Sequence, residues 1–339
     1  MLAALLLLLP ALPFAPRTIG ATVGATSRTI RWVTRGLAPE LLSNLRHCPE
    51  DSFMRRAEAT GVAIVTGGTG GIGAPLCQRL CRRGFKVVVA SRHEERGRAL
   101  VRRMISEGGQ AVFVPLDLSV VSGGAEFAAA LGRVGVQQVS LLVNCAGSMG
   151  GSCSETFGVN LIGPAALSMA LLPLLLATDK PTIVNVGSSS HLRARTVDVR
   201  LLHADQGDRR LQAYAQSKLG LMYVSIMLRT IPTLCVRDVH PGIVWTPMLR
   251  SQLGSLADVL RRVGLARRLF KSPERGAQMV LMAAVSPHRH EGTPSYWVDG
   301  RPAPWLASAE SKNASAARNM WDVVVVPELE AAGIPSLAV

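Results

Sequence analysis

Two residues four positions apart carry the most specific chemistry in this chain. They frame Tyr214-Ala-Gln-Ser-Lys218, and of the three tyrosines only Tyr214 has a lysine at that spacing. On a helix, positions i and i+4 share a face, so the ammonium would stand against the phenol. A neighbouring positive charge favours phenolate and draws a pKa near 10 toward neutrality. Such a phenol can give or take a proton as a general acid or base. The spacing alone also arises by chance, so it needs support from elsewhere in the chain.

A glycine cluster gives that support. Val62-Ala-Ile-Val-Thr66 has the pattern of a buried strand; Gly67-Gly-Thr69-Gly-Gly71-Ile72-Gly73 follows, and a helix is expected from Ala74. Glycines let the backbone turn sharply and approach a pyrophosphate, which the helix N-terminus then stabilises. Glycine-rich loops are common, but the strand before and the helix after make this one a nucleotide site. The next expected strand ends at Ser91-Arg92. A carboxylate there would hold a free ribose 2′-OH, whereas Ser and Arg would accept a 2′-phosphate, so NADP(H) is favoured and NAD(H) stays open. Asp117, after the third strand, is placed to meet the adenine, although Asp is common in turns.

The elements that must position these groups alternate along the chain. Strands are expected at 62–66, 86–90, 111–116, 140–144, 182–187, 236–240 and 295–298, and helices at 74–83, 94–106, 159–176, 213–228 and 277–285. Continuously apolar strands alternating with helices imply a parallel sheet covered on both faces. The expected fold class is α/β, a doubly wound parallel (Rossmann) sheet in a single domain with an N-terminal extension. Its boundaries fall at 1–57 for the extension, 58–310 for the domain and 311–339 for a C-terminal tail.

The formal net charge is +14 over 339 residues, with 48% hydrophobic and 4% aromatic content. That composition forms a core, and its few aromatics argue against platforms for stacking bases, so no nucleic-acid partner is expected. Three blocks hold the excess: residues 1–60, 79–103 and 250–275. The first 39 residues contain no acid, and an apolar run at 2–12 is too short to span a bilayer. A mitochondrial transit peptide, or an anchor on endoplasmic reticulum or lipid-droplet membrane, is expected ahead of secretion. Six cysteines show no metal-ligand spacing, so no metal is expected and buried free thiols account for them.

In order, Thr66-Gly-Gly-Thr-Gly70-Gly-Ile-Gly73, Asn144-Cys-Ala-Gly147, Asn160, Ile183-Val-Asn-Val-Gly-Ser188, Tyr214-x-x-x-Lys218 and His240-Pro241-Gly242 resemble the short-chain dehydrogenase/reductase superfamily. Val184 to His191, Ser272 to Ala277 and Gly292 to Asp299 are similar to its retinol-dehydrogenase-like branch, and 214–219 with 269–273 to the X-linked dehydrogenase/reductase type. The resemblance implies that Tyr214 exchanges the proton, Lys218 lowers its pKa and binds the nicotinamide ribose, Ser188 binds the substrate oxygen and Asn160 positions a water. It implies cofactor contacts from Gly67, Thr69, Gly71, Ile72, Gly73, Ser91, Arg92, Asp117, Asn144, Ala146, Tyr214, Lys218, Pro241, Ile243 and Thr246. The 16 positions from Asn144 to Asn160 are fewer than that branch usually has, which shortens the loop beside the site.

The implied function is NADP(H)-dependent hydride transfer on a small apolar alcohol or carbonyl, with a catalytically silent dinucleotide sensor or assembly subunit as the alternative. A homo-oligomer is expected. Residues 250–275 correspond to the segment that covers the site in this superfamily. They read either as a lid with its arginines in water or as a basic amphipathic surface in peripheral contact with a membrane.

Overall fold

The computed structural model describes residues 61–202, 209–287 and 296–337. The expected leader at 1–57 lies outside them. The elements run β1 (Val62–Thr66), α1 (Gly73–Cys81), β2 (Lys86–Ser91), α2 (Glu94–Ser106), β3 (Gln110–Pro115), α3 (Gly123–Arg133), β4 (Leu141–Asn144) and α4 (Cys153–Phe157). A π-helical turn (Gly158–Ile162) leads into α5 (Gly163–Ala170) and α6 (Leu172–Leu176), then β5 (Thr182–Val186), α7 (Arg210–Leu228) and β6 (Cys235–His240). Next come α8 (Pro247–Leu253), α9 (Ser255–Arg262), α10 (Ala266–Leu269), α11 (Pro273–Val285), β7 (Tyr296–Val298) and β8 (Arg301–Pro302). The chain closes with α12 (Ala314–Met320), a second π-helical turn (Trp321–Val325) and α13 (Val326–Ala331).

One sheet of order β3-β2-β1-β4-β5-β6-β7-β8 holds all eight strands. Every pairing is parallel except β7 with β8. The order reverses between β1 and β4, and in such sheets the crevice beyond the strands' carboxyl ends at that point takes the ligand. Strand residues Ile64, Val88 and Leu142 face one apolar layer and Ala63, Val87 and Val143 the other, so both faces are covered and the strands read as unbroken apolar runs.

One expectation is corrected. The helix expected over 159–176 is three pieces, because Pro164 and Pro173 each lack an N–H and can sit only in a first turn. The segment after 310, expected as a C-terminal tail, packs on the sheet domain. Ala317, Met320, Trp321, Val325 and Leu329 are buried in the same core cluster as Ile64 and Leu142. Here α12 packs on α7, whose residues Ala213 to Ser225 are consequently buried on every side. Sequence periodicity shows an amphipathic stripe only when one helix face meets water, and α7 has no such face in that stretch.

Trp321 is 1% exposed, so Trp321→Ala should lower unfolding stability by about 3–5 kcal/mol, measured by chemical denaturation.

Candidate active site

Beyond the carboxyl ends of β1, β2, β4, β5 and β6 lies a cleft of about 410 Å³. The glycine loop forms its floor. Gly67 has φ +64°, a conformation L side chains rarely adopt, and Gly70 N–H closes the turn on Gly67 carbonyl at 3.0 Å. A Cβ on Gly73 would lie 2.2 Å from that same carbonyl, and one on Gly71 would lie 2.8 Å from Thr246 Cγ2. Only bare backbone fits, and the loop runs straight into the N-terminus of α1, so it suits a pyrophosphate.

At the end of β2, Ser91 Oγ meets Thr69 Oγ1 at 2.7 Å and accepts from His93 N–H at 3.2 Å, which fixes the turn carrying Arg92. Arg92, His93 and Arg96 line the cleft. The acids that could compete point elsewhere: Glu94 accepts from Arg98 at 2.7 Å, and Glu107 pairs with Arg82 and Arg103. Asp117 also lines the cleft. Partial burial pushes its carboxyl up, but hydrogen bonds from Ser119 and the charge of Arg92 outweigh that and leave it below the usual value.

The helix α7 brings Tyr214 and Lys218 to the cleft that Ser188 also lines. Lys218 Nζ donates to Val186 carbonyl at 2.9 Å and stands 5.8 Å from the Tyr214 ring centre. Burial draws the Lys218 ammonium down from 10.5 to about 8, with the nearby Cys145 thiol opposing slightly. Burial pushes Cys145 up to about 12, against the pull of that ammonium. Ser188 caps a 3-10 turn (Ser189–Arg193); its hydroxyl donates to Ser190 Oγ and accepts from Ser190 N–H, both at 3.1 Å.

Two residues named from sequence stand behind this wall. Asn160 is fully buried in the π-helical turn; its Oδ1 accepts from Ser148 N–H and its Nδ2 donates to Ser148 carbonyl, both at 2.7 Å, and to Ser217 Oγ at 3.1 Å. It therefore braces the 145–152 loop against α7, with both ends of its amide engaged by protein. Asn144 is also buried, donating to Asn185 Oδ1 at 2.8 Å and Ser168 Oγ at 3.3 Å, and so ties β4 to β5. All the other expected site residues line the cleft: Gly67, Thr69, Gly71, Ile72, Gly73, Ser91, Arg92, Asp117, Ala146, Ser188, Tyr214, Lys218, Pro241, Ile243 and Thr246.

Sequence reasoning missed the apolar side. Met149, Val159, Met248 and Leu249 line the cleft, and Gln252 Nε2 of α8 donates to Met149 carbonyl at 3.1 Å. Thr66, which opens the glycine motif, has a further part to play: its Oγ1 accepts from Cys145 and Ala146 N–H at 3.0 Å and holds the loop after β4. No charge or spacing singles the apolar residues out in the chain. The segment 247–270 has its own small core, with Leu249, Leu253, Leu260 and Phe270 inside, while Val259 (51%) and Val263 (66%) are exposed beside Arg261 and Arg262.

A parallel sheet with a glycine-rich crossover at its switch point, and a Tyr–Lys pair beside it, has the architecture of a dinucleotide-binding domain. Residues 61–254 match the short chain dehydrogenase family. Polyprenol dehydrogenase of Mus musculus is 34% identical over 278 residues, covering 77% of this chain and 81% of that protein. Retinol dehydrogenase 11 of Homo sapiens is 30% identical over 77% of this chain and 84% of its own length. Among solved structures, an actinorhodin polyketide ketoreductase with NADPH aligns at TM-score 0.55 and 26% identity, over 67% of this chain and 91% of that one. The chain belongs to the short-chain dehydrogenase family, in its retinol-dehydrogenase-like branch. It is a short-chain alcohol dehydrogenase or carbonyl reductase that uses a nicotinamide dinucleotide.

A lysine whose folded pKa lies below its unfolded one costs stability while it is charged, and that cost is relieved as pH rises. Wild-type stability should therefore rise relative to Lys218→Met between about pH 8 and 10.5, checked by paired urea denaturations across that window.

Proposed function

We propose that this protein interconverts an apolar alcohol and its carbonyl with NADP(H), using Tyr214 as the general acid/base. The observation that carries the reading is the juxtaposition of Tyr214, Lys218 and Ser188 on one cleft with the glycine loop. When bound, the dinucleotide supplies or accepts the hydride at its nicotinamide.

The chain's own groups do the rest. Ser188 holds the substrate oxygen by its hydroxyl, and Tyr214 gives that oxygen its proton in reduction or takes it in oxidation. Lys218, still an ammonium at neutral pH, lies close enough to stabilise the phenolate and to hydrogen-bond a ribose. Asn160 acts from behind, holding Ser148 and α7 in register.

Arg92 and Arg96 favour NADP(H), since they present two guanidinium groups where a 2′-phosphate would lie and Glu94 is turned away to Arg98. The apolar wall of Met149, Val159, Met248 and Leu249 favours a long apolar substrate, as do the names of the polyprenol and retinol dehydrogenases to which the chain is similar. The exposed Val259 and Val263, flanked by Arg261 and Arg262, favour peripheral membrane contact of the covering segment, where such a substrate would reside.

Turnover is to be read on retinal, a short polyprenal and decanal with NADPH and with NADH. Tyr214→Phe should cut kcat about a hundred- to ten-thousandfold while dinucleotide binding persists; retained turnover overturns the assignment. Arg92→Ala should weaken NADPH binding roughly tenfold and leave NADH binding unchanged in a fluorescence titration. Equal loss for both would show that Arg92 does not select the 2′-phosphate and would overturn the NADP(H) assignment.

A further inference from the structure

His191 is fully buried, lies three residues after Ser188, and takes no part in the chemistry described above. Its two ring nitrogens face two different partners. Nδ1 lies 2.7 Å from Ser188 carbonyl, and Nε2 accepts from Ser308 N–H at 3.2 Å. A backbone N–H can only donate and a carbonyl can only accept. The ring is therefore the neutral tautomer with its proton on Nδ1.

Ser188 carbonyl thus receives two hydrogen bonds from one residue, the His191 ring at 2.7 Å and the His191 N–H at 3.2 Å. Together they fix the peptide plane that follows Ser188 and hold its extended backbone, φ −155° and ψ 148°. That backbone places the Ser188 side chain, whose hydroxyl Ser190 engages through its N–H and Oγ. On its far side the ring meets Tyr296 of β7 edge-on at 5.2 Å. Ser308 is itself held, its hydroxyl accepting from Ser311 N–H at 3.1 Å and its carbonyl from Ser311 Oγ at 2.7 Å. From there the chain enters α12, which packs on the helix carrying Tyr214 and Lys218.

We infer that His191 is a positioning residue for Ser188, holding through the Ser188 carbonyl the backbone that carries the serine hydroxyl. The inference rests on Ser188 binding the substrate oxygen, as proposed above. A histidine that merely filled space would need neither the fixed tautomer nor both partners.

Two near-isosteric substitutions separate the two bonds. His191→Asn retains a donor where Nδ1 stands and gives up Ser308. His191→Gln retains an acceptor where Nε2 stands and gives up Ser188. Turnover of retinal with NADPH, NADPH affinity and thermal midpoint are measured for both full-length proteins, each also on a Ser188→Ala background. His191→Asn should stay within about threefold of wild-type kcat, while His191→Gln should lose roughly tenfold in kcat with KM and NADPH affinity unchanged. On the Ser188→Ala background the His191→Gln loss should vanish.

Equal losses for the two substitutions, or a His191→Gln loss that persists without the serine hydroxyl, overturn the inference. If Ser188→Ala alone leaves kcat at the wild-type level, the role of Ser188 itself fails, and the inference falls with it. If the His191→Gln protein does not fold, His191→Asn decides alone: near-wild-type kcat supports the inference, and a tenfold fall overturns it.

Discussion

The ammonium of Lys218, enclosed by protein and bonded to Val186 carbonyl, is the interaction on which the rest of the site depends. A charge taken out of water is costly unless hydrogen bonds and nearby charge offset the loss. Keeping it charged requires the end of β5 to present a carbonyl at one fixed place, and keeping it dry requires α7 to be covered all round. The sheet, the π-helical turn and α12 share that covering. The arrangement gives the neighbouring phenol a positive charge at short range, in surroundings where water screens it little.

A second buried polar chain sets α7 on the sheet. Asn144 donates to Asn185, Asn185 Nδ2 to Ser225 Oγ at 2.8 Å, and Ser225 to Asp238, which also pairs with Arg229. Burial pushes the Asp238 carboxyl up, while Arg229 and Ser225 hold it back. The chain crosses β4, β5 and β6 and ends on both sides of the last turns of α7. Every link has a specific partner, so α7 can dock in one register, and that register places Tyr214 and Lys218 at the cleft. Asn144 and Asn160 therefore act on the site from outside it, by fixing the pieces that carry the reacting groups.

The basic residues divide along similar lines. Within the block at 79–103, Arg82, Arg98 and Arg103 are bound to glutamates on the surface, whereas Arg92 and Arg96 line the cleft. Arg79 bonds Gln278 of α11 at 2.7 Å and joins two helices on one face of the sheet. A cluster that looks uniform along the chain has three different destinations. Of the block, only Arg92, just after β2, and Arg96, in α2, line the cleft.

Much of this protein is written locally. The strand alternation, the glycine loop, the Ser91-Arg92 turn and the Tyr214–Lys218 spacing depend on neighbours within a few residues, and each was legible from the chain. What lay beyond reach depends on contacts between distant segments. Met149 and Met248 form an apolar wall only because α8 folds back over the loop after β4. Asn160, expected to position a water, gives both ends of its side-chain amide to Ser148 and Ser217 once the chain is compact. The segment after 310 lacks any strong pattern, yet it buries Trp321 and closes α7. Sequence thus determined which groups can carry the chemistry. Tertiary structure decided which of them reach the cleft and which hold the others still, because burial and hydrogen-bond partners are set by residues far apart in the chain.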